Sequence, residues 1–338
     1  MRMHDDPIRS DIGYATSASI FAELDAEFAA TDELRARTEA LAESRLLNRG
    51  GAHFLVGLVT AVYEVSDLAH PFFGRVFMGA RGRLIAGGCD LLLCANRPSR
   101  PDDPLRAAVV ERTIERGVDA LIVWGIGPND PELEPIIESG IPSVFIDEDP
   151  PAERAAHVMS DNVGAMVKVV EHLHANGRRR IAHIAGLLNT RPGPDRLFGY
   201  RSELSRLDLP SRPDYVEQGD YFHHSAYEAT KRLLQLPERP DAVTCASDIM
   251  AVGAMLAIEE AGLCIPGDIA VTGFDDTEFA ARMHPALTTV RQDASGLGTA
   301  AAEAVLRMLA SPDESPSAVV LPTELIIRES SGPAAAKS

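Results

Sequence analysis

Two successive series of short apolar runs, each run followed by a helical stretch, constrain this chain more than any other feature. The first series is FLVGLV (54–59), CDLLLCA (89–95), DALIVW (119–124) and PSVFIDE (142–148). The second is RIAHIAG (180–186), YVEQGDY (215–221), AVTCASD (242–248) and IAVTGFD (269–275). Runs this short and this apolar, bounded by turn residues, are expected to be strands buried on both faces, as in parallel sheets. Helical stretches lie between them at 71–86, 103–116, 162–176, 195–207, 225–236 and 249–262. Alternation at this spacing predicts α/β layers around mostly parallel sheets, and two series predict two similar lobes.

The ends of these runs carry the chemistry. In open α/β sheets, ligands bind in the crevice outside the carboxyl ends of the strands. The run at 269–275 leads through Gly273 and Phe274 into Asp275 and Asp276. A carboxylate fixed there can accept two hydrogen bonds from vicinal hydroxyls or an amine. Asp276 is read as a cap for the following turn and Asp275 as the group facing the crevice.

At 338 residues the chain is long enough for two domains, and 45 % hydrophobic content supports a large core. No run approaches the roughly 18 consecutive apolar residues of a membrane helix. Asp5 and Asp6 stand where a signal peptide would be basic, so a cytoplasmic location and no membrane contact are expected. Cys89, Cys94, Cys245 and Cys264 have neither zinc-knuckle nor CxxC spacing and read as reduced thiols. His70, His223 and His224 have no metal-ligand spacing either. GIG (125–127) follows a strand but lacks the third glycine of a dinucleotide turn and carries no assignment. With no Walker, GxSxG or HExxH pattern, the chain is read as a non-enzyme needing no cofactor and no metal.

Residues near 159–162, 287–293 and 318–327 fall where the series change over and read as crossings between the lobes. Several crossings make a hinge that can close. The expected division is a head at 1–52, an effector-binding and dimerisation domain at 53–332, and a disordered tail at 333–338. Within the domain, the first lobe takes about 53–160 and 289–312, and the second about 161–288 and 318–332.

HPFF (70–73), GIPSVFID (140–147), SDNVGA (160–165), GRRRIAHIAG (177–186), RLFGYR (196–201), QGDY (218–221), CASDIMAVGAM (245–255), GFDDTEFA (273–280), LTTVRQD (287–293) and LPTELIIRES (321–330) occur in one order. That ordered set resembles the effector domain of the lactose-repressor (LacI/GalR) family over roughly 54–332. The resemblance implies two Rossmann-like lobes of the type I periplasmic-binding-protein kind with a small α-helical N-terminal head. It implies a small polar effector between the lobes (a sugar, nucleoside or small acid), a homodimer, and operator DNA as partner. Carried over residue by residue, the effector-binding set is Phe73, Asp147, Asp161, Arg196, Tyr221, Ser247, Asp248 and Asp275. Plainer readings stand beside it: Arg196 pairing with Asp195 or capping its helix, Asp248 capping the helix from Ile249, and Tyr221 packing between lobes.

The head carries the family's helix-turn-helix only in divergent form. TSASIFAEL (16–24) falls on the recognition-helix pattern, which gives Thr16, Ser17 and Ser19 as DNA-contacting candidates. Phe21, Ala22 and Glu23 replace the residues that usually reach DNA. Residues 1–52 hold six Arg and no Lys against ten acidic residues, and the whole chain has a net charge of −18. Phosphate attraction calls for the opposite sign, so the alternative reading is a cytoplasmic effector sensor that has lost DNA binding and acts through a partner protein. AVYEVSDLA (61–69) reads as an insertion at the cleft rim or dimer face.

Overall fold

The computed structural model describes residues 53–60, 70–95, 105–150, 155–311 and 318–333. The expectations for the head at 1–52, the insertion at 61–69 and nearly all of the tail lie outside these residues. Among the described residues, twelve strands form two six-stranded sheets, and no helix is long and apolar enough to cross a membrane.

The first lobe is built from β1 (Phe54–Thr60), α1 (Pro71–Ala86), β2 (Cys89–Ala95), α2 (Leu105–Glu115), β3 (Ala120–Trp124), α3 (Leu133–Glu138), β4 (Ser143–Ile146) and β5 (Ala155–Ser160). The chain then enters the second lobe through α4 (Asn162–Ala175), β6 (Ile181–Ala185), α5 (Pro192–Arg206), β7 (Val216–Gln218), α6 (His223–Leu234), β8 (Ala242–Cys245), α7 (Asp248–Glu260), β9 (Ala270–Asp275) and β10 (Thr288–Gln292). It returns to the first lobe as α8 (Ala294–Ala310) and β11 (Ala318–Leu321), and ends in the second with β12 (Thr323–Ile326).

The first sheet runs β11-β5-β4-β3-β1-β2 and the second β12-β10-β9-β8-β6-β7. All first-sheet pairs are parallel. In the second sheet only β12, at the edge, runs antiparallel to its neighbour. Each lobe repeats the doubly wound order, with the reversal between β1 and β3 and again between β6 and β8. The crevice outside those strand ends is therefore the expected ligand position in both halves. The central strands are buried along nearly all their length, as their largely apolar sequences require.

Two boundaries differ from the sequence expectation. β10 pairs with β9, so Thr288–Gln292 belongs to the second sheet and the crossing falls after it. β11 pairs with β5, which puts Ala318–Leu321 in the first sheet rather than the second. The apolar stretch 318–327 is two strands because Pro322 has no N–H to give a ladder, and there the chain changes sheets. α8 returns apolar residues to the first-lobe core, where Leu297, Ala301 and Val305 meet Val76, Ala80 and Leu84 of α1.

The first two crossings share one local design. Asp161 caps α4 by accepting from the Gly164 N–H at 2.8 Å, and Asp293 caps α8 by accepting from the Gly296 N–H at 2.7 Å. A Cβ on either glycine would lie 2.2 Å from the capping carboxylate. The third crossing lies against the first: the Asp161 N–H donates to the Leu321 carbonyl at 3.0 Å, and the Thr323 hydroxyl to the Asp161 carbonyl at 3.3 Å.

Candidate functional site

Four of the five non-glycine residues with positive φ among the described residues sit where the strand ends of the two lobes converge: Asp147 (59°), Tyr221 (72°), Asp275 (118°) and Asp276 (48°). Left-handed backbone at such residues costs on the order of 1–3 kcal/mol each and persists where surrounding structure imposes it, typically at ligand sites. The turn out of β4 and the turn out of β9 each bend this way to bring a carboxylate into the interior.

Arg196 is the positive charge between them. It lies in the first turns of α5, 4 % exposed, with its guanidinium 3.6 Å above the Phe274 ring. Its Nε donates to Asn162 Oδ1 at 2.8 Å and one terminal nitrogen donates to the Ala246 carbonyl. The pairing with Asp195 weighed from sequence does not form, because Asp195 accepts from Arg191 at 3.3 Å instead. Arg196 is thus fixed by neutral acceptors rather than neutralised by a carboxylate.

Burial pushes the Asp147 carboxyl up to about 6, although Arg196 and the backbone at Ser160 pull the other way. Burial also raises the Asp275 carboxyl, with Asp248 adding to the rise against Arg196 and Gln292. Gln292, ending β10, donates its amide to Asp275 Oδ1 at 2.6 Å. Asp147 Oδ1, Ser160 Oγ and Gln292 Oε1 are buried with no hydrogen-bond partner. Unsatisfied polar atoms normally cost about 1–3 kcal/mol each, so several within one ring of strand ends point to a polar ligand.

Aromatic surface flanks the polar groups. Tyr221 leads toward α6, and its ring lies directly over Gly186: a Cβ at Gly186 would fall 2.1 Å from the ring. Burial pushes the Tyr221 hydroxyl up to about 12, against the pull of Arg196. From the first lobe, Phe73 stacks on Trp124 with ring centroids 4.7 Å apart. Across the cleft, His70 meets Phe222 edge-on at 6.4 Å.

The structure therefore gathers Asp147, Arg196, Tyr221 and Asp275, with Phe73 in the aromatic wall. The other three candidates have their polar atoms occupied by the fold. Asp161 is the α4 cap already described. Ser247 caps α7 by accepting from the Met250 N–H at 3.1 Å. Asp248, read from sequence as a ligand contact or as the cap of α7, is not the cap, which is Ser247. Its carboxylate accepts from the Thr277 N–H at 2.7 Å, the Thr277 hydroxyl at 2.8 Å and the Thr289 hydroxyl. Asp276 pairs with Arg291 at 2.7 Å and Arg328 at 2.6 Å. Burial would raise its carboxyl, but the two arginines hold it below the ordinary value.

Five participants carried no mark in the sequence reading: Trp124, Ser160, Asn162, Gly186 and Gln292. Four of them lie inside quoted motifs: Ser160 and Asn162 flank Asp161, Gly186 ends GRRRIAHIAG, and Gln292 is next to last in LTTVRQD. The His183 ring beneath the site stacks on Tyr200 and bonds the Thr244 hydroxyl at 2.8 Å. Burial lowers it to about 3, so it is neutral. Among the described residues no cluster of three His, Cys, Asp or Glu side chains could hold a metal ion.

The chain is similar to proteins of known family. The periplasmic binding protein-like domain family matches residues 170–331. The ribose operon repressor of Escherichia coli (strain K12) is 32 % identical over 84 % of this chain and 83 % of its own length.

The chain belongs to the LacI/GalR family of transcriptional regulators.

A second relative, the HTH-type transcriptional regulator CelR of Thermobifida fusca, is 29 % identical over 81 % of this chain and 80 % of its own. The solved complex of CelR with cellobiose superposes with a TM-score of 0.74 at 27 % identity, covering 85 % of this chain and 88 % of that one. The lac repressor dimer bound to operator and the anti-inducer ONPF gives a TM-score of 0.72 at 25 % identity, covering 85 % and 97 %. The two-lobed fold of this LacI/GalR member is thus shared with regulators solved with sugar and with operator.

Proposed function

We propose that this LacI/GalR regulator is a receptor for a neutral polyhydroxylated effector, whose binding between the lobes modulates attachment of the N-terminal head to operator DNA. The carrying observation is the acceptor-rich ring around one fixed arginine. Asp147 and Asp275 face it from opposite lobes, and unpartnered Asp147 Oδ1 and Gln292 Oε1 supply acceptors beside the Ser160 hydroxyl. A ligand rich in hydroxyl donors satisfies such a ring, whereas an anion would find a single cation, Arg196, already donating to Asn162 and the Ala246 carbonyl. The aromatic surfaces of Tyr221 and of the Phe73–Trp124 stack suit the apolar face of a sugar. Relatives that regulate transcription, one of them named for a ribose operon and one solved with cellobiose, support this reading over catalysis.

Effector acts by binding one lobe arrangement better than another, since equal affinity for both shifts nothing. The test is a thermal-shift panel of neutral mono- and disaccharides against uronic acids and nucleotides. A neutral sugar at about 100 times its Kd should add roughly 2.7 kcal/mol of stability. Arg196→Ala and Asp275→Ala should each remove that shift while leaving a folded protein. A shift with anionic ligands alone, or one that survives both substitutions, rejects the assignment. For the head, retention on DNA upstream of the chain's own gene across a salt series tests Thr16, Ser17 and Ser19 as contacts. Specific binding should weaken steeply with salt.

A further inference from the structure

The GIG turn at 125–127, which the sequence left without a role, brings a glycine of the first lobe against the backbone of the second. Gly127 follows β3 of the first lobe, and Asn189 follows β6 of the second. A Cβ on Gly127 would lie 1.9 Å from the Asn189 carbonyl oxygen. Its φ lies outside the left-handed region, so alanine suits the backbone there. The turn is also held from within its own lobe: the Gly127 N–H donates to Asp130 Oδ2 at 2.6 Å, and the Asp130 N–H to the Gly127 carbonyl at 3.1 Å. With the amide committed to Asp130, a Cα–H of Gly127 is what meets Asn189, a weak but recurrent kind of contact between closely packed backbones.

Two ion pairs across the cleft are more yielding. Arg191 reaches Asp149 at 3.4 Å and Arg75 reaches Glu278 at 3.9 Å, in each pair through a long arginine and between substantially exposed side chains. Such pairs can lengthen or rearrange at little cost. The Gly127–Asn189 contact has no side chain on one side and a main-chain carbonyl on the other, so neither partner can turn aside. We propose that Gly127 sets the limit of lobe closure: its missing Cβ lets the strand ends approach far enough to enclose an effector. It is a positioning residue that touches no effector. The clash of any larger residue exists only with the lobes together, because Asn189 belongs to the opposite lobe. Substitution therefore disfavours the closed arrangement and leaves each lobe intact.

The inference rests on the reading that effector binds between the lobes, and its test separates the two. Full-length wild type, Gly127→Ala, Gly127→Val and a Gly267→Ala control, where the added methyl meets only ordinary contacts, are compared without ligand by small-angle X-ray scattering. Acrylamide quenching of Trp124, the chain's single tryptophan and three residues before Gly127, reports on the same region. The wild type and the control should share one radius of gyration, with a larger radius and at least twofold stronger quenching in both Gly127 variants. Far-UV circular dichroism and the urea midpoint establish folding, and Gly127→Ala, the milder change, is decisive if valine unfolds the protein. D-Ribose and cellobiose are then titrated as probes, with at least tenfold weaker binding expected for Gly127→Ala wherever the wild type binds. If neither sugar binds the wild type, these sugars drop out of the effector reading while scattering and quenching still judge Gly127. Equal radius and quenching in wild type and Gly127→Ala overturn the proposal.

Discussion

Asp147 and Asp275 owe their chemistry to the strands that carry them. Asp147 follows and Asp275 ends a fully buried parallel strand, and each turns inward with positive φ. Each consequently holds a carboxyl in the interior, where ionisation is disfavoured. Both are raised above an unfolded value of about 3.9, so the native protein holds protons that the unfolded chain gives up. Their contribution to stability is fully present below that unfolded value and is lost as pH rises, for Asp147 through about 6 and for Asp275 in the same direction. The urea midpoint of the ligand-free protein should fall between about pH 4 and pH 7, and Asp147→Asn with Asp275→Asn should flatten that decline. An unchanged slope in the double variant would assign the pH dependence elsewhere. Gly186 makes a second claim at this scale. Gly186→Ala drives a methyl into the Tyr221 ring, so effector affinity should drop at least tenfold while the unfolding midpoint moves little, as calorimetric titration would show.

At the scale of elements, apolar patterning located the central strands to within a few residues, because strands buried on both faces have few alternatives to Val, Ile, Leu and Ala. β5 was missed because AAHVMS mixes small and polar residues at the lobe margin. α8 was missed because ASGLGTAAAEAV is rich in small residues that serve close helix packing rather than an amphipathic stripe. The candidate site was legible where a charge ends a strand, as at Asp275, and at Asp147 and Arg196 through their motifs. It was illegible where the fold redirects a polar group: the sequence cannot show that Thr277 and Thr289 claim Asp248, or that Gly164 claims Asp161. Those caps give an element-scale prediction. Asp161→Ala and Asp293→Ala should each cost about 1 kcal/mol of stability by urea denaturation, the usual loss for an N-cap. Asp161→Ala should leave the intrinsic effector affinity within a few-fold, whereas a direct ligand would lose far more.

For the whole molecule, the C-terminal segment is as much part of the second lobe as any strand. The Ser330 hydroxyl accepts from the Thr288 N–H at 2.8 Å and donates to the Val271 carbonyl at 2.7 Å, and Ser331 bridges Thr288 and His172. The Arg178 guanidinium, 1 % exposed, reaches the Gly332 carbonyl at 3.0 Å. Ending the chain after Pro333 should therefore leave the unfolding midpoint within about a degree, whereas ending it after Ile327 should leave an insoluble or protease-sensitive protein. Limited proteolysis distinguishes the two.

The three crossings also dictate an order of events during synthesis. Domains usually fold as they emerge from the ribosome, at roughly 5–20 residues per second. Here the first sheet waits for α8 to cover one face and for β11 to complete its edge, and both are translated after most of the second lobe. Between the emergence of β5 and that of α8, apolar Val76, Ala80 and Leu84 have no partner from α8 for on the order of ten seconds. The hinge that lets a finished receptor close is thus also what keeps the nascent chain exposed, so its yield in the cell should depend on chaperones more than its final stability suggests.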